Sequence, residues 1–171
     1  MDSTQENPQI LETSHGLSGM LRMFKATMTS QGMNPGDKIV FVGSAGTCVP
    51  FIELFAYTIR DSKAEMVLVP DGVLDDSRAI WWIPEIGMQI GGAVDPANAD
   101  FVILLGGLSM PQSKIGAEGT NDVVKKILKP GGKVFGICFM DMFAKAGWYG
   151  KVPFDLVMDA TIDPIRLQKL N

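Results

Sequence analysis

Lys38-Ile-Val-Phe-Val-Gly43-Ser-Ala-Gly46-Thr-Cys48-Val-Pro50-Phe51 is the stretch on which the fold turns. Ile39 to Val42 are apolar without alternation, the pattern of a strand covered on both faces, as in a parallel sheet. Gly43 to Cys48 are small or polar and make a turn. Pro50 then stands where the first turn of a helix tolerates a missing N–H. Strand, glycine turn and helix in that order open a βαβ unit.

Working outward, Phe51, Leu54, Phe55 and Thr58 form the expected inner stripe of that helix, which Asp61-Ser62 closes. Glu65-Met-Val-Leu-Val-Pro70 reads as the second strand and Asp100-Phe-Val-Ile-Leu-Leu105 as a third clear one. Between them, Asp75 to Ile80 is expected as a helical turn and Met88-Gln-Ile90 as a short strand. Thr120 is expected to cap a helix with Val123, Val124, Ile127 and Leu128 inside. Pro130-Gly131-Gly132 stops it, and Lys133-Val-Phe-Gly-Ile-Cys-Phe139 is the next strand. Asp141 is expected to cap a short helix reaching Gly147. Asp155 to Asp159 and Ile162 to Leu167 suggest a last extended segment. Upstream, Leu17, Met20, Leu21, Phe24 and Met28 fall at helical spacing, with Ser14 as the expected cap; Gly32 and Asn34-Pro35-Gly36 end that helix. Residues 1–13 are expected as a flexible tail and 14–171 as a single domain. The expected fold is α/β, a Rossmann-like parallel sheet of five or six strands with helices on both faces.

A hydrophobic content of 46% supports a core, and 20% charged residues support solubility. The net charge is −4 with no basic stripe, so counterion release from phosphates has nothing to work with and nucleic acid is not an expected partner. Lys125, Lys126 and Lys129 are expected in the last turns of a helix, where cations complement the dipole. No run approaches the ~20 apolar residues of a membrane span. Asp2, Glu6 and Glu12 replace the basic start of a signal peptide, so a cytoplasmic location is expected. Two cysteines make no disulfide framework, and a single histidine leaves little for a metal site. The 11 methionines read as adaptable core filler or as a contact surface.

Two loops are candidates for binding. Gly43-Ser44-Ala45-Gly46-Thr47-Cys48 lets backbone N–H groups approach an anion. It lacks the G-x-G-x-x-G spacing and the Lys-Ser/Thr pair of a P-loop; its other reading is a tight turn for helix–strand packing. Gly106-Gly107-Leu108-Ser109-Met110-Pro111 follows a clear strand and reads as a flexible loop shaping the cleft. It half-matches a nucleophile elbow, but the only histidine, His15, lies upstream, against the hydrolase order. Cys48 and Cys138 fall near strand ends, either facing that cleft or buried. The expected cofactor-binding set is Gly43, Ser44, Ala45, Gly46, Thr47, Cys48, Gly106, Gly107, Ser109 and Cys138. Asp71 follows the second strand, where an acid grips ribose hydroxyls in dinucleotide-binding folds, but Pro70-Asp71-Gly72 is also an ordinary turn signal and the turn is the favoured reading. Asp155 could do acid–base chemistry, with a capping or turn role favoured. Trp81-Trp82 and Trp148-Tyr149 read either as core or as an interface, and a homodimer is expected.

Asp100 to Leu105 followed by Ile127-Leu-Lys-Pro-Gly-Gly-Lys-Val134 resembles the second half of S-adenosylmethionine-dependent methyltransferases. Phe41 stands where that family has an acidic residue, and Gly43-Ser-Ala-Gly46 departs from its G-x-G turn. A broader resemblance runs from Leu17 to Val157. Lys38 to Phe51, Leu104-Leu-Gly-Gly-Leu-Ser-Met-Pro111, Gly136-Ile-Cys-Phe139, Gly147-Trp148 and Phe154-Asp155 resemble a small uncharacterised family of methanogenic archaea. That resemblance implies a cytoplasmic archaeal protein and carries no catalytic residues. Together these readings lead to two expectations. One is a protein binding a small anionic or nucleotide-like ligand at the C-terminal edge of the sheet; the other is a non-catalytic oligomeric or accessory subunit.

Overall fold

The apolar run at Lys38–Gly43 is strand β1, and in the computed structural model, which describes residues 8–170, it lies in the middle of the sheet. Helix α1 (Gly16–Ser30) precedes it and α2 (Val49–Thr58) follows it. Next come β2 (Glu65–Pro70), β3 (Arg78–Ile83), β4 (Gly87–Ala93) and β5 (Ala99–Leu105). The chain continues with α3 (Gly116–Ile127), β6 (Leu128–Phe139), α4 (Met142–Lys145) and β7 (Leu156–Ala160). Seven strands form one sheet in the order β4-β3-β2-β1-β5-β6-β7. Neighbours from β2 through β7 are parallel, while β3 and β4 form an antiparallel hairpin on one edge. The fold is therefore α/β, with seven strands in place of the expected five or six and a sheet that is mostly, not wholly, parallel.

Alternation along β1 explains why its run is apolar throughout. Ile39 and Phe41 face one layer with Met20, Phe24 and Met28 of α1 and Ile52 and Phe55 of α2. Val40 and Val42 face the other, with Val123, Val124 and Ile127 of α3 and Phe143 of α4. Helices thus cover both faces. Burying each such large side chain contributes roughly 1.5–3 kcal/mol, and rings such as Phe24 and Phe55, 4.9 Å apart, add an aromatic contact.

Several local expectations are corrected. The α2 stripe is Ile52, Phe55, Ala56 and Ile59, with Phe51, Leu54 and Thr58 only half-buried; the phase is set by the crowded layer against α1. Ser14 does not cap α1, whose N-cap is His15. Thr120 lies inside α3, fully buried, and its hydroxyl donates to the Gly116 carbonyl (2.8 Å). Lys129 is on β6, not in the last turns of α3, and pairs with Asp100. The helical turn covers only Leu74–Asp76, and Arg78 to Ile80 belong to β3. Ile162 to Leu167 carry no regular structure and are exposed. Part of the expected N-terminal tail lies outside the described residues; residues 8–13 are exposed coil.

Two carboxylates tie down the edge where the parallel strands begin. Asp100 Oδ2 accepts the Lys38 backbone N–H (2.8 Å), joining the starts of β1 and β5. Burial works against the Asp100 carboxylate, but the Lys129 ammonium and the Lys38 N–H outweigh it and hold the carboxyl below the ordinary range. Asp155 Oδ2 accepts the Val134 N–H (2.7 Å) just ahead of β7, a cross-strand tie to β6 in place of the expected capping or turn role.

Candidate functional site

The register places the C-terminal ends of the parallel strands side by side, with Gly43 beside Pro70, Val42 beside Leu104, and Phe139 beside Ala160. From β1 the chain leaves through α2 on one face toward β2. From β5 it leaves through α3 on the other face toward β6. The two loops therefore diverge between β1 and β5, which is the switch point where open α/β sheets form a crevice.

The loop after β1 divides into a packed base and an open tip. Cys48, 5% exposed, turns back under it, and a Cβ on Gly43 would meet the Cys48 Cβ at 2.7 Å. Ala45, Gly46 and Thr47 are exposed; Gly46 has φ +82°, and open space surrounds its would-be Cβ. The loop after β5 is instead buried. Gly106–Ser109 form a 3-10 turn, and Ser109 donates its hydroxyl to the Gly106 carbonyl (2.8 Å). A Cβ on Gly107 would lie 2.5 Å from Cys48 Sγ and 3.0 Å from Ser44 Oγ. One on Gly106 would lie 2.6 Å from the Cys138 Cβ. These glycines let the two loops and β6 close on one another.

Beside this packed junction lies a cleft of about 310 Å³ lined by Ser44, Ala45, Thr47, Asp71, Gln112, Ser113 and Lys114. Asp71, just past β2, has φ +50°. Its backbone N–H donates to the Gly43 carbonyl (2.9 Å), and its Oδ1 accepts the Ala45 N–H (3.2 Å). The cleft can offer three hydroxyls, an amide, an ammonium and a carboxylate. A wider hollow of about 450 Å³ lies elsewhere, bounded by Leu74, Asp75, residues 93–97, Lys126 and Ile127. The loop after β2 reaches it through Leu74 and Asp75, but neither of the two glycine loops lines it. We favour the smaller cleft because several polar side chains converge there.

Of the residues singled out from sequence, Ser44, Ala45 and Thr47 line the cleft. Gly43, Cys48, Gly106, Gly107 and Cys138 are buried at the junction, and Gly46 stands at the tip. Ser109 is half-buried in its own turn. Cys138 Sγ donates to Asp159 Oδ1 (3.1 Å), the same oxygen that accepts the Asp141 N–H, and burial pushes its thiol up to about 12. Neither cysteine is exposed as a cleft wall. Gln112, Ser113 and Lys114 went unread in the sequence; the signal was a polar run directly after the Pro111 that ends the second glycine loop. Among the described residues no group of three His, Cys, Asp or Glu side chains is placed to hold a metal, and no helix is long and apolar enough to cross a membrane.

Trp148 belongs to the core, 3% exposed and stacked on Phe143, so it offers no interface. Trp81 and Trp82 are 45% and 39% exposed on the edge hairpin. Trp82 lies near Tyr57 (5.3 Å between rings), and the Arg60 guanidinium sits over the Tyr57 ring.

Comparison with known proteins places the chain. It is similar to an uncharacterized protein of Methanocaldococcus jannaschii, 39% identical over 154 residues that cover 90% of this chain and 91% of that one. It is also similar to an uncharacterized protein of Methanothermobacter thermautotrophicus, 36% identical over 153 residues, covering 90% and 94%. The crystal structure of a protein of unknown function from Methanothermobacter thermautotrophicus superposes with a TM-score of 0.85 at 34% identity, covering 95% of this chain and 99% of that one. Residues 15–163 match the family described as an uncharacterized protein conserved in archaea (DUF2124), and the chain belongs to that family.

Proposed function

We propose that this protein binds a small anionic or nucleotide-like ligand in the cleft between the loop after β1 and Gln112–Lys114. The observation that carries this reading is the convergence of Ser44, Thr47, Ser113 and Lys114 on one hollow at the switch point of the sheet. On this reading residues 14–171 act as one Rossmann-like domain in the cytoplasm. A thermal-shift panel of nucleotides, S-adenosylmethionine and inorganic phosphate tests it. A ligand at 100 times its Kd adds about 2.7 kcal/mol to stability, which such a scan reads easily. Gly46→Val is expected to weaken the response while the sheet stays folded: no atom lies within 4 Å of the added Cβ, so the strain of a side chain at φ +82° falls on the exposed tip alone. Millimolar ligands that leave the melting curve of the wild-type protein unmoved would remove this reading.

A second reading, a non-catalytic oligomeric or accessory subunit, is favoured by one observation. Among the described residues strand β4 pairs only with β3, so its outer side presents free backbone groups, beside the exposed Trp81, Trp82 and Ile86. A symmetric homodimer through this edge is its simplest form. A monomer mass by light scattering at tens of micromolar would eliminate the dimer.

A further inference from the structure

Asp71 and Lys114 bring opposite charges to one cleft without pairing with each other. Both are exposed, and neither takes part in an ion pair among the described residues. Positive φ at Asp71 (+50°) and Gly72 (+74°) turns the chain sharply at the end of β2 and brings the carboxylate over the loop after β1. The Ala45 N–H holds Oδ1, while Oδ2 has no protein donor among the described residues. An ionised carboxylate only accepts hydrogen bonds, so the free oxygen suits hydroxyl or amine donors and repels phosphate. The other walls are of the opposite kind. The Lys114 ammonium and the Ser44, Thr47 and Ser113 hydroxyls all donate, and a compact ammonium suits a phosphate. The cleft thus sorts its ligand into a donor end and an anionic end. Its volume of about 310 Å³ lies at the small end of the roughly 300–1,000 Å³ common for ligand sites, which favours a mononucleotide-sized group over a dinucleotide.

We propose that the ligand is a phosphorylated ribose compound, with its vicinal hydroxyls donating to Asp71 Oδ2 and its phosphate held by Lys114 and the neighbouring hydroxyls. This rests on the anion-binding reading of the same cleft and adds the diol. An acid at the end of the second strand holds ribose hydroxyls in other parallel sheets; here the Ala45 N–H adds a fixed orientation.

Titration calorimetry with ribose 5-phosphate, 2-deoxyribose 5-phosphate and inorganic phosphate separates the two claims. The wild-type protein is expected to prefer ribose 5-phosphate over its 2-deoxy form by at least about tenfold. Asp71→Asn, which keeps an oxygen for the Ala45 N–H, is expected to cut ribose 5-phosphate affinity about tenfold and level the two sugars, with phosphate binding unchanged. Lys114→Gln is expected to weaken all three ligands by a similar factor. Equal affinity of the wild-type protein for the two sugars, with phosphate still bound through Lys114, overturns the diol assignment and leaves the anion site standing. No binding of any of the three overturns both. The wild-type comparison decides the diol even if a variant fails to fold.

Discussion

The two glycine turns at the head of the sheet look alike in sequence and behave differently in space. Gly46 is exposed, has positive φ, and a Cβ on it would meet nothing within 4 Å; Gly106 and Gly107 are buried, and a Cβ on either would strike Cys138, or Cys48 and Ser44. Glycine is needed at the first for backbone conformation and at the second for close approach. The first turn is left open toward solvent, while the second is the buried floor on which it rests.

The sharpest way to break this contrast is Gly107→Ala. Overpacking a closed junction costs typically about 1–3 kcal/mol, and chemical denaturation should show a loss in that range. Adding Cys48→Ala removes the Sγ that the new methyl meets at 2.5 Å, so the pair should recover part of the loss, a coupling of at least about 0.5 kcal/mol. Strict additivity in that double-mutant cycle would mean that the two loops are not in register as described.

Gly46→Ala should cost less, about 1 kcal/mol, because only the left-handed backbone is strained. Cys48→Ala should not rescue it. A loss as large as that of Gly107→Ala would erase the distinction between the turns.

The smallest effect lies in the thiols beneath each turn. Cys48, 5% exposed beside the open tip, should be alkylated in the native protein before Cys138, which is fully buried and bonded to Asp159. With its thiol pushed up to about 12, Cys138 should be thiolate in only about one molecule in a thousand at pH 9, since the thiolate is the reactive form. The sign for stability follows: a raised folded pKa stabilises fully below the unfolded value and is lost as pH climbs from about 9 toward 12. Timed alkylation read by mass spectrometry gives the order; simultaneous labelling only on denaturation would show that both thiols are equally closed.

Much of this architecture is readable from residues, and the exceptions have physical reasons. Runs such as Ile39–Val42 and Phe101–Leu105 announce themselves because both faces are buried. Strand β3 does not, because its half-exposed hairpin mixes Arg78 with Trp81 and Trp82, and its partner β4 carries Gly91, whose missing side chain makes room for the Trp81 ring. Thr120 misled because a buried hydroxyl bonding back to Gly116 looks, in sequence, like a cap. Of the cleft, the side supplied by Ser44 to Thr47 was visible through its glycines. Gln112 to Lys114 were not, since nothing local says that a polar run after β5 folds back against β1. The glycines drew attention for the right place but partly the wrong reason, since most of them serve packing.

The Asp100 peg also says something about how the chain assembles. It joins Lys38 to a residue 62 positions away, whereas the β3–β4 hairpin closes over three residues, 84–86. Closing the longer loop carries an entropic penalty of roughly 3–4 kcal/mol from its length alone, and such non-local pairing is slow. The hairpin and the β1–α2–β2 unit can form early, but the cleft needs β1 and β5 together. The completed cleft therefore arrives late in folding, and a nascent chain released before residue 105 would hold the first glycine loop without the floor beneath it.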